Sequence, residues 1–315
     1  ESILASKLFI LVPMIKEILL TLIYLVLFNF LIYRFKKFQF RNFRPFITHL
    51  FFNLKFVVGI LIWIIYTFYY TDIQNNDVHK FYNDALILRN EANGNPKQFL
   101  KIMIGKEDES TLACISQMKN WTRNFDEAPF NENHTIIKLN ALLMFVSFKT
   151  YFVHVLFFCF ISLIGWVLLA NSILSFADWR NSILALPVLF LPSVLFWTSG
   201  VMKEPLLILG LGLLLYGILN FELRIKKAAA IAAGILIILF TKFFVLACLF
   251  PALVDFVLFK NNKNQIFVLL KYVLVTAISL LVAFNIHSLI PRLNLQQMLV
   301  NKQMHSINEA EYFKA

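Results

Sequence analysis

The amino-acid sequence predicts an all-α, polytopic transmembrane helix bundle of about eight spans. Of its 315 residues, 59% are hydrophobic and only 15% are charged, and the mean hydropathy is +0.72, a composition that soluble globular domains do not show. The apolar residues form long continuous runs rather than the short alternating segments of a membrane β-barrel. We therefore treat residues 1–315 as a single integral membrane domain.

Two predicted spans near the N-terminus flank a basic hinge. The apolar stretches Leu8–Tyr33 and Leu50–Tyr70 are each long enough to cross a bilayer as a helix. The segment RFKKFQFRNFR between them, residues 34–44, carries five bases and no acid, so the positive-inside rule places it in the cytoplasm. A basic, aromatic stretch also suits nucleic acid, but two flanking spans leave no element that could enter a groove, and no nucleic-acid partner is predicted.

The one sizeable polar segment runs from Asp72 to Lys138. It holds 10 of the 18 acids together with 8 bases, whereas the rest of the chain has 21 bases against 8 acids. The basic excess therefore serves to orient the chain in the membrane, and residues 72–138 are expected to form an extracytoplasmic loop. Within it, residues 81–92 and 97–105 have the amphipathic pattern of short helices, separated by the breaker GNP.

Charged turns divide the rest of the chain. The apolar region after the loop is too long for one span and is split at Lys149, with a short interfacial helix expected over Ile136–Phe148. Lys242 is placed at the tip of an up-and-back turn, because the basic clusters Arg224–Lys227 and Lys260–Asn264 on either side are both expected in the cytoplasm. The remaining predicted spans are Tyr151–Leu174, Ile183–Thr198, Pro205–Phe221, two short segments within residues 228–259, and Ile266–Leu289.

Three carboxylates at the start of the polar loop are the candidate catalytic groups. Asp72 stands at the membrane exit, Asp77 follows five residues later and Asp84 seven beyond that. A carboxylate partly desolvated at the mouth of a helix bundle can act as a general base toward a sugar hydroxyl. The alternative is a solvated polar loop, or acids that cap the first helix of the loop.

Three lysines at the outer ends of the predicted spans are candidate phosphate ligands: Lys149, Lys203 and Lys242. Ammonium groups at this depth would suit the phosphate of a lipid carrier whose tail stays in the bilayer. The alternative is snorkelling, in which the long side chain reaches back to the head groups. Lys203 also stands beside Glu204, and the two could neutralise each other. Lys242 is the hardest to explain by snorkelling, since its flanking segments are too short to be independent spans.

His154 could line the same cavity, as it lies four residues after Tyr151 at helical spacing. A lone helical histidine is more often a hydrogen-bonded packing residue, and no second His or acid at i+3 or i+4 completes a metal site. The sequence has no Cys-x-x-Cys pair, no phosphate-binding glycine loop and no zinc-protease or hydrolase motif. No cofactor is predicted, and a divalent cation is left open.

Three segments resemble one family of membrane enzymes. They are NNDVHKFYNDALIL in the loop, PSVLFWTSGVMKE after it, and LFTKFFVLACLFP around Lys242. In this layout, over residues 50–260, the chain resembles the polytopic C-type glycosyltransferases of bacterial envelope type, relatives of the protein mannosyltransferases. That family commonly carries Asp-Glu in its first outer loop, a few residues before an aromatic and an Ala. Asp77 with Phe81, Tyr82 and Ala85 matches this pattern, and Val78 stands at the place of the second acid.

The resemblance implies an inverting transfer of a sugar from a polyprenyl-phosphate donor to an extracytoplasmic acceptor. Asp77 would be the base, and Lys242 with Lys149 would hold the donor phosphate. The implied location is the bacterial inner membrane, with membrane lipids around the chain and a membrane-protein partner left open. The alternatives are a polysaccharide polymerase or ligase, and a non-enzymatic transporter or subunit. Because family members usually have more spans, a further C-terminal portion is also expected.

Overall fold

The computed structural model describes residues 2–41, 43–69, 77–122, 131–174, 186–219, 225–259 and 265–288, with a few positions between 294 and 307. Every regular element in these ranges is helical, as the sequence predicts. The helices are α1 Ser2–Arg34, α2 Pro45–Ile64, α3 Asp77–Gly94, α4 Pro96–Met103, α5 Glu109–Ile115, α6 Glu132–Ser147, α7 Tyr151–Ile173, α8 Leu186–Leu189, α9 Pro192–Trp197, α10 Glu204–Leu219, α11 Ile225–Phe259 and α12 Gln265–Asn285. The hinge contains a 3-10 turn over Lys36–Phe38, and α2 continues as a π-helical turn over Ile65–Tyr69.

The chain forms two compact units. The first comprises Glu1–Trp121 and Asn133–Ile237, and the second Thr122–Glu132 and Ile238–Ala315. The first unit contains α1 to α5, most of α6, α7 to α10 and the start of α11, and it therefore holds nearly all of the predicted site residues.

Four helical stretches are long and apolar enough to cross a membrane, which indicates an integral membrane protein: Met14–Arg34, Pro45–Tyr69, Tyr151–Ile173 and Ile225–Val254. Two shorter apolar helical stretches occur at Glu204–Leu219 and Leu269–Val282. The predicted total of eight spans stays a prediction.

The face of α1 that points away from the other helices carries many exposed apolar side chains and is suited to contact lipid. Val26 is 68% exposed and Phe30 56% exposed, although both are large and apolar. Soluble proteins seldom expose so continuous an apolar surface, whereas a bilayer accommodates it without cost. Other large apolar side chains exposed along the same helix are Met14, Ile15, Ile18, Leu19, Leu22, Ile23 and Leu27.

Aromatic contacts show the relative directions of the first three candidate spans, which are α1, α2 with its π-helical turn, and α7. On α1, Tyr24 lies 5.6 Å from Phe157 and Phe28 lies 4.7 Å from Phe160, measured between ring centroids. Residue numbers therefore increase together on α1 and α7, and the two helices run in the same direction.

The second span runs the other way. Phe52 of α2 lies 6.3 Å from Phe160, whereas Trp63, further along α2, lies 5.2 Å from Phe152, again between ring centroids. Numbers thus rise on α2 as they fall on α7. This is the alternation of directions that the predicted order of spans requires.

Two glycines allow α7 and α10 to pack with their backbones in contact. A Cβ atom added at Gly212 would lie 2.3 Å from the carbonyl oxygen of Gly165, and one added at Gly165 would lie 2.5 Å from the carbonyl of Ile208. Small residues at a helix crossing are the usual means of close packing in membranes, where the hydrophobic effect does not drive helices together.

The predicted span Ile183–Thr198 is wrong as a continuous helix. The described part of this segment contains two short helices, α8 and α9, and residues 175–185 lie outside the described residues. Pro192 begins α9, and Leu191 before it is extended, with φ −56° and ψ 131°. Proline lacks the N–H that a continuous helix needs and disfavours helical geometry in the preceding residue, which accounts for the break before α9.

Two breaks between helical segments, at Lys149 and at Lys242, are confirmed. Phe148 and Lys149 have left-handed backbone angles, with φ 52° and 63°, and separate α6 from α7 where the sequence was split. Lys242 has non-helical angles, φ −151° and ψ 81°, inside α11. The up-and-back course predicted for residues 228–259 stays a prediction.

Candidate functional site

The structure gives different information on each of the three candidate carboxylates. Asp72 lies outside the described residues. Asp77 is the first residue of α3, and its side chain is also outside the part of the chain that the structure describes. Asp84, two turns further along α3, is only 3% exposed. Asp84 is therefore the only one of the three whose side chain is among the described residues.

The Asp84 carboxylate binds backbone N–H groups of the loop. Its Oδ2 accepts a hydrogen bond from the Asn120 N–H at 2.8 Å, and its Oδ1 accepts one from the Lys119 N–H at 3.2 Å. Burial raises the pKa of Asp84, and these hydrogen bonds partly offset that rise. The geometry therefore favours a structural role, in which Asp84 fixes residues 119–120 against α3.

Replacing Asp84 by Ala is expected to lower the free energy of unfolding by roughly 1–3 kcal/mol, because the N–H of the half-buried Asn120 loses its acceptor. The Lys119 N–H contributes less, since Lys119 is exposed and water can replace the carboxylate. Thermal unfolding of the purified protein in neutral detergent measures the change. Glu109→Ala is the control, because it removes an exposed acid from the same loop. Equal losses for the two variants would contradict the structural role of Asp84.

His154 is fully buried, and a neighbour lies within hydrogen-bonding distance of each ring nitrogen. Its Nε2 lies 2.7 Å from the Ser147 hydroxyl, and its Nδ1 lies 2.7 Å from Oδ1 of Asn140. Ser147 and Asn140 are both on α6, so the histidine joins α6 to α7. This arrangement favours the packing interpretation of His154 over a role in contacting substrate.

Tyr82 of α3 brings two of the predicted residues together. Its hydroxyl donates a hydrogen bond of 2.5 Å to the backbone carbonyl of Lys149, and its ring lies 5.1 Å from the His154 ring in an edge-on contact. The Lys149 ammonium in turn donates to Oδ1 of Asn90, at 2.7 Å, so both ends of this lysine are held against α3. These contacts stabilise Lys149 in its left-handed conformation.

Lys203, the residue before α10, also contacts α3. Its ammonium lies 5.2 Å from the centroid of the Phe81 ring, a cation–π distance, and donates to Oδ1 of Asn133 at 2.9 Å. Phe81 is one helical turn after Asp77. The N-terminal half of α3 therefore contacts His154, Lys203 and the backbone of Lys149, whose ammonium instead lies at Asn90 in the C-terminal half. Lys242 belongs to the second compact unit.

The sequence reasoning missed Lys55, which is fully buried in the middle of α2. Its ammonium donates to the Thr198 carbonyl at 2.6 Å and to the Thr198 hydroxyl. The Phe51 ring centroid lies 5.4 Å away. An ionisable residue inside a span is a functional candidate by default, and the signal was visible as a lysine within the predicted span Leu50–Tyr70.

A second donor shares the Thr198 carbonyl. The Ser162 hydroxyl of α7 donates to the same oxygen at 2.9 Å. The carbonyl thus keeps one hydrogen bond when either donor is removed. Lys55 and Ser162 together attach the turn after α9 to α2 and α7.

This shared acceptor predicts strong non-additivity. Lys55→Met and Ser162→Ala should each change the free energy of unfolding little, whereas the double variant should lose roughly 1–3 kcal/mol more than the sum, because the buried Thr198 carbonyl then has neither donor. A double-mutant cycle by chemical or thermal unfolding measures this coupling. Additive changes would show that the two donors do not depend on one oxygen.

Comparisons of the chain with protein-family models, with curated proteins and with solved structures find no match. Among the described residues, no group of three or more His, Cys, Asp or Glu side chains lies close enough to hold a metal ion. The family resemblance and the activity that it implies therefore stay proposals.

Proposed function

We propose that this chain is a membrane glycosyltransferase that moves a sugar from a polyprenyl-phosphate donor to an acceptor outside the cytoplasm. One observation supports this most directly. The Lys203 ammonium lies over Phe81, one helical turn after Asp77, so a cation approaches the end of the helix that begins with the candidate base. A phosphate-binding cation and a general base near each other are what glycosyl transfer from a phosphate donor requires.

The reaction is a single displacement at the anomeric carbon of the sugar. The Asp77 carboxylate takes the proton of the acceptor hydroxyl as that oxygen bonds to the anomeric carbon. The bond between this carbon and the phosphate oxygen breaks, and the electron pair leaves with the phosphate. Lys203 stabilises the charge that develops on the phosphate, with Lys149 and Lys242 as further candidate cations.

The proposal also includes eight spans, a bacterial inner membrane location and an orientation with residues 72–138 outside. Contacts at the two ends of α7 support only the orientation, because the hinge and α3 lie at opposite ends of this helix. The Asn171 side chain, near the end of α7, accepts from the Arg41 N–H at 2.9 Å and donates to the Gln39 carbonyl at 3.2 Å. The basic hinge and the end of α7 thus lie at one end of the first unit. The start of α7 contacts α3 through Tyr151, whose ring lies 5.2 Å from that of Tyr82.

Donor binding tests the proposal. Lys203→Met should weaken binding of a polyprenyl-phosphate analogue roughly tenfold or more, because a charge-assisted hydrogen bond to the phosphate is lost. Lys203→Arg should retain much of the affinity, since the charge is kept. Lys97→Met, an exposed lysine on α4, is the matched control. Binding is measured with the purified full chain in nanodiscs, with thermal unfolding recorded for every variant.

Unchanged affinity in Lys203→Met would remove Lys203 from the donor site. A loss in Lys242→Met instead would move the phosphate site to the second unit. The product distinguishes the alternatives: a transferase adds a single sugar, while a polymerase or ligase changes the polysaccharide chain. A non-enzymatic transporter or subunit would transfer no sugar and would not need the acid.

A further inference from the structure

A cationic cavity lies at the opposite end of the first unit from α3. Its volume is about 160 Å³, much more than the roughly 10–15 Å³ that a single water molecule needs. Three cations of the hinge line it, and neutral polar groups from the ends of α7 and α10 complete the polar lining. The polar residues are Lys36, Lys37, Arg41, Asn171, Ser172 and Tyr216.

The hinge that carries these cations is held in place. The Gln39 side-chain amide donates to the Ile32 carbonyl at 2.8 Å, where α1 ends, and the Asn171 amide donates to the Gln39 carbonyl at 3.2 Å. The Arg41 N–H donates back to Asn171 at 2.9 Å. Both sides of the cavity are therefore fixed to helix ends, which lowers the entropy lost when a ligand binds.

One cation is further restrained by aromatic rings. The Lys37 ammonium lies 4.9 Å from the Phe38 ring centroid, and Phe38 packs against Phe160 of α7 at 5.2 Å. Orientation of the chain in the membrane needs only the number of basic residues near the span. It does not need three of them around one cavity, and no described residue of the lining is acidic.

We propose that this cavity binds the phosphate group of an anionic lipid. Lysine supplies point charges and arginine a planar pair of donors, the combination that phosphate oxygens favour. The site lies where α1 ends at Arg34 and α7 ends at Ile173, which for two candidate spans is the level of the lipid head groups. The last turns of α1 expose Val26 and Phe30, which acyl chains of the same leaflet can cover.

The test compares two pairs of charges in the same hinge. Lys37→Gln/Arg41→Gln removes two cations from the cavity, and Arg34→Gln/Arg44→Gln removes two that do not line it. The probe is phosphatidylglycerol, titrated onto the purified full chain in neutral detergent and followed by native mass spectrometry, with phosphatidylcholine as the uncharged comparison. The cavity variant should bind phosphatidylglycerol about twenty-fivefold more weakly, at roughly fivefold per cation. The hinge control should stay close to wild type.

Charge-conserving variants and a soluble probe complete the test. Lys37→Arg/Arg41→Lys keeps both charges and should retain lipid binding, which separates charge from a loss of folding. Glycerol phosphate carries the same phosphate without acyl chains, and it should compete only weakly. Equal losses in both hinge pairs, or equal affinity for phosphatidylcholine, would overturn the site. Binding of glycerol phosphate as tight as that of the lipid would overturn the lipid as its source.

Discussion

Replacing Asp77 by Asn should lower the rate of sugar transfer about a hundredfold or more, the effect expected for loss of a general base. The amide keeps the size of the side chain but takes no proton at neutral pH. Asp77 is the first residue of α3, and asparagine is as well suited as aspartate to the start of a helix, so the fold should tolerate the change. The measurement is transfer from a polyprenyl-linked sugar in proteoliposomes, with thermal unfolding recorded alongside.

The other two carboxylates provide the comparison for Asp77. Asp84→Asn should act through stability, since this carboxylate binds the backbone N–H groups of residues 119–120. Asp72→Asn should leave transfer close to the wild-type rate. Wild-type transfer in Asp77→Asn would eliminate its role as base, and a hundredfold loss in Asp72→Asn with normal unfolding would assign the role to Asp72.

Gly212→Ala should cost about 3 kcal/mol or more in the free energy of unfolding, at the upper end of the effects of overpacking. The added Cβ would lie 2.3 Å from the Gly165 carbonyl oxygen, and that oxygen belongs to a helix backbone that cannot turn aside. The clash can be removed only if α10 moves away from α7, and the packing between the two helices is then lost along their whole contact.

Gly94→Ala is the matched control for this substitution. Gly94 is also helical, the last residue of α3, but a Cβ there meets nothing within 4 Å. It should leave stability unchanged or raise it by up to about 1 kcal/mol, since alanine favours the helix over glycine. Unfolding in detergent measures both variants. Similar stabilities for the two would show that α7 and α10 do not pack with their backbones in contact.

Local signals in the sequence predicted most of the helices, although α5 was missed and α8 and α9 were predicted as one span. The break at Asn95 before Pro96 and the break at Lys149 are read from a proline and from a charged residue within an apolar run. Pro192 is the same kind of signal, but the prediction of one span over Ile183–Thr198 ignored it. The proline signal is local but does not by itself decide a helix end, since α11 continues through Pro251.

Contacts between distant residues could not be predicted in the same way. Asp84 was expected as a candidate base, but its partner Asn120 is 36 residues away and becomes known only when the loop is packed. The Lys55 ammonium donates to Thr198, and the sequence around either residue does not indicate that the two are in contact. Hydropathy shows that a buried charge needs a partner, while the fold alone determines which one.

The distance between Lys55 and Thr198 along the chain also has a consequence for biosynthesis. They are 143 residues apart, so at about 5–20 residues per second the ribosome makes Thr198 roughly 7–30 s after Lys55. During that interval α2 carries a lysine whose insertion costs about 2.5–3.5 kcal/mol at the centre of a bilayer. We therefore expect the hydrogen bonds that bury the Lys55 ammonium to form late in assembly of the first unit, after the turn following α9 has been made.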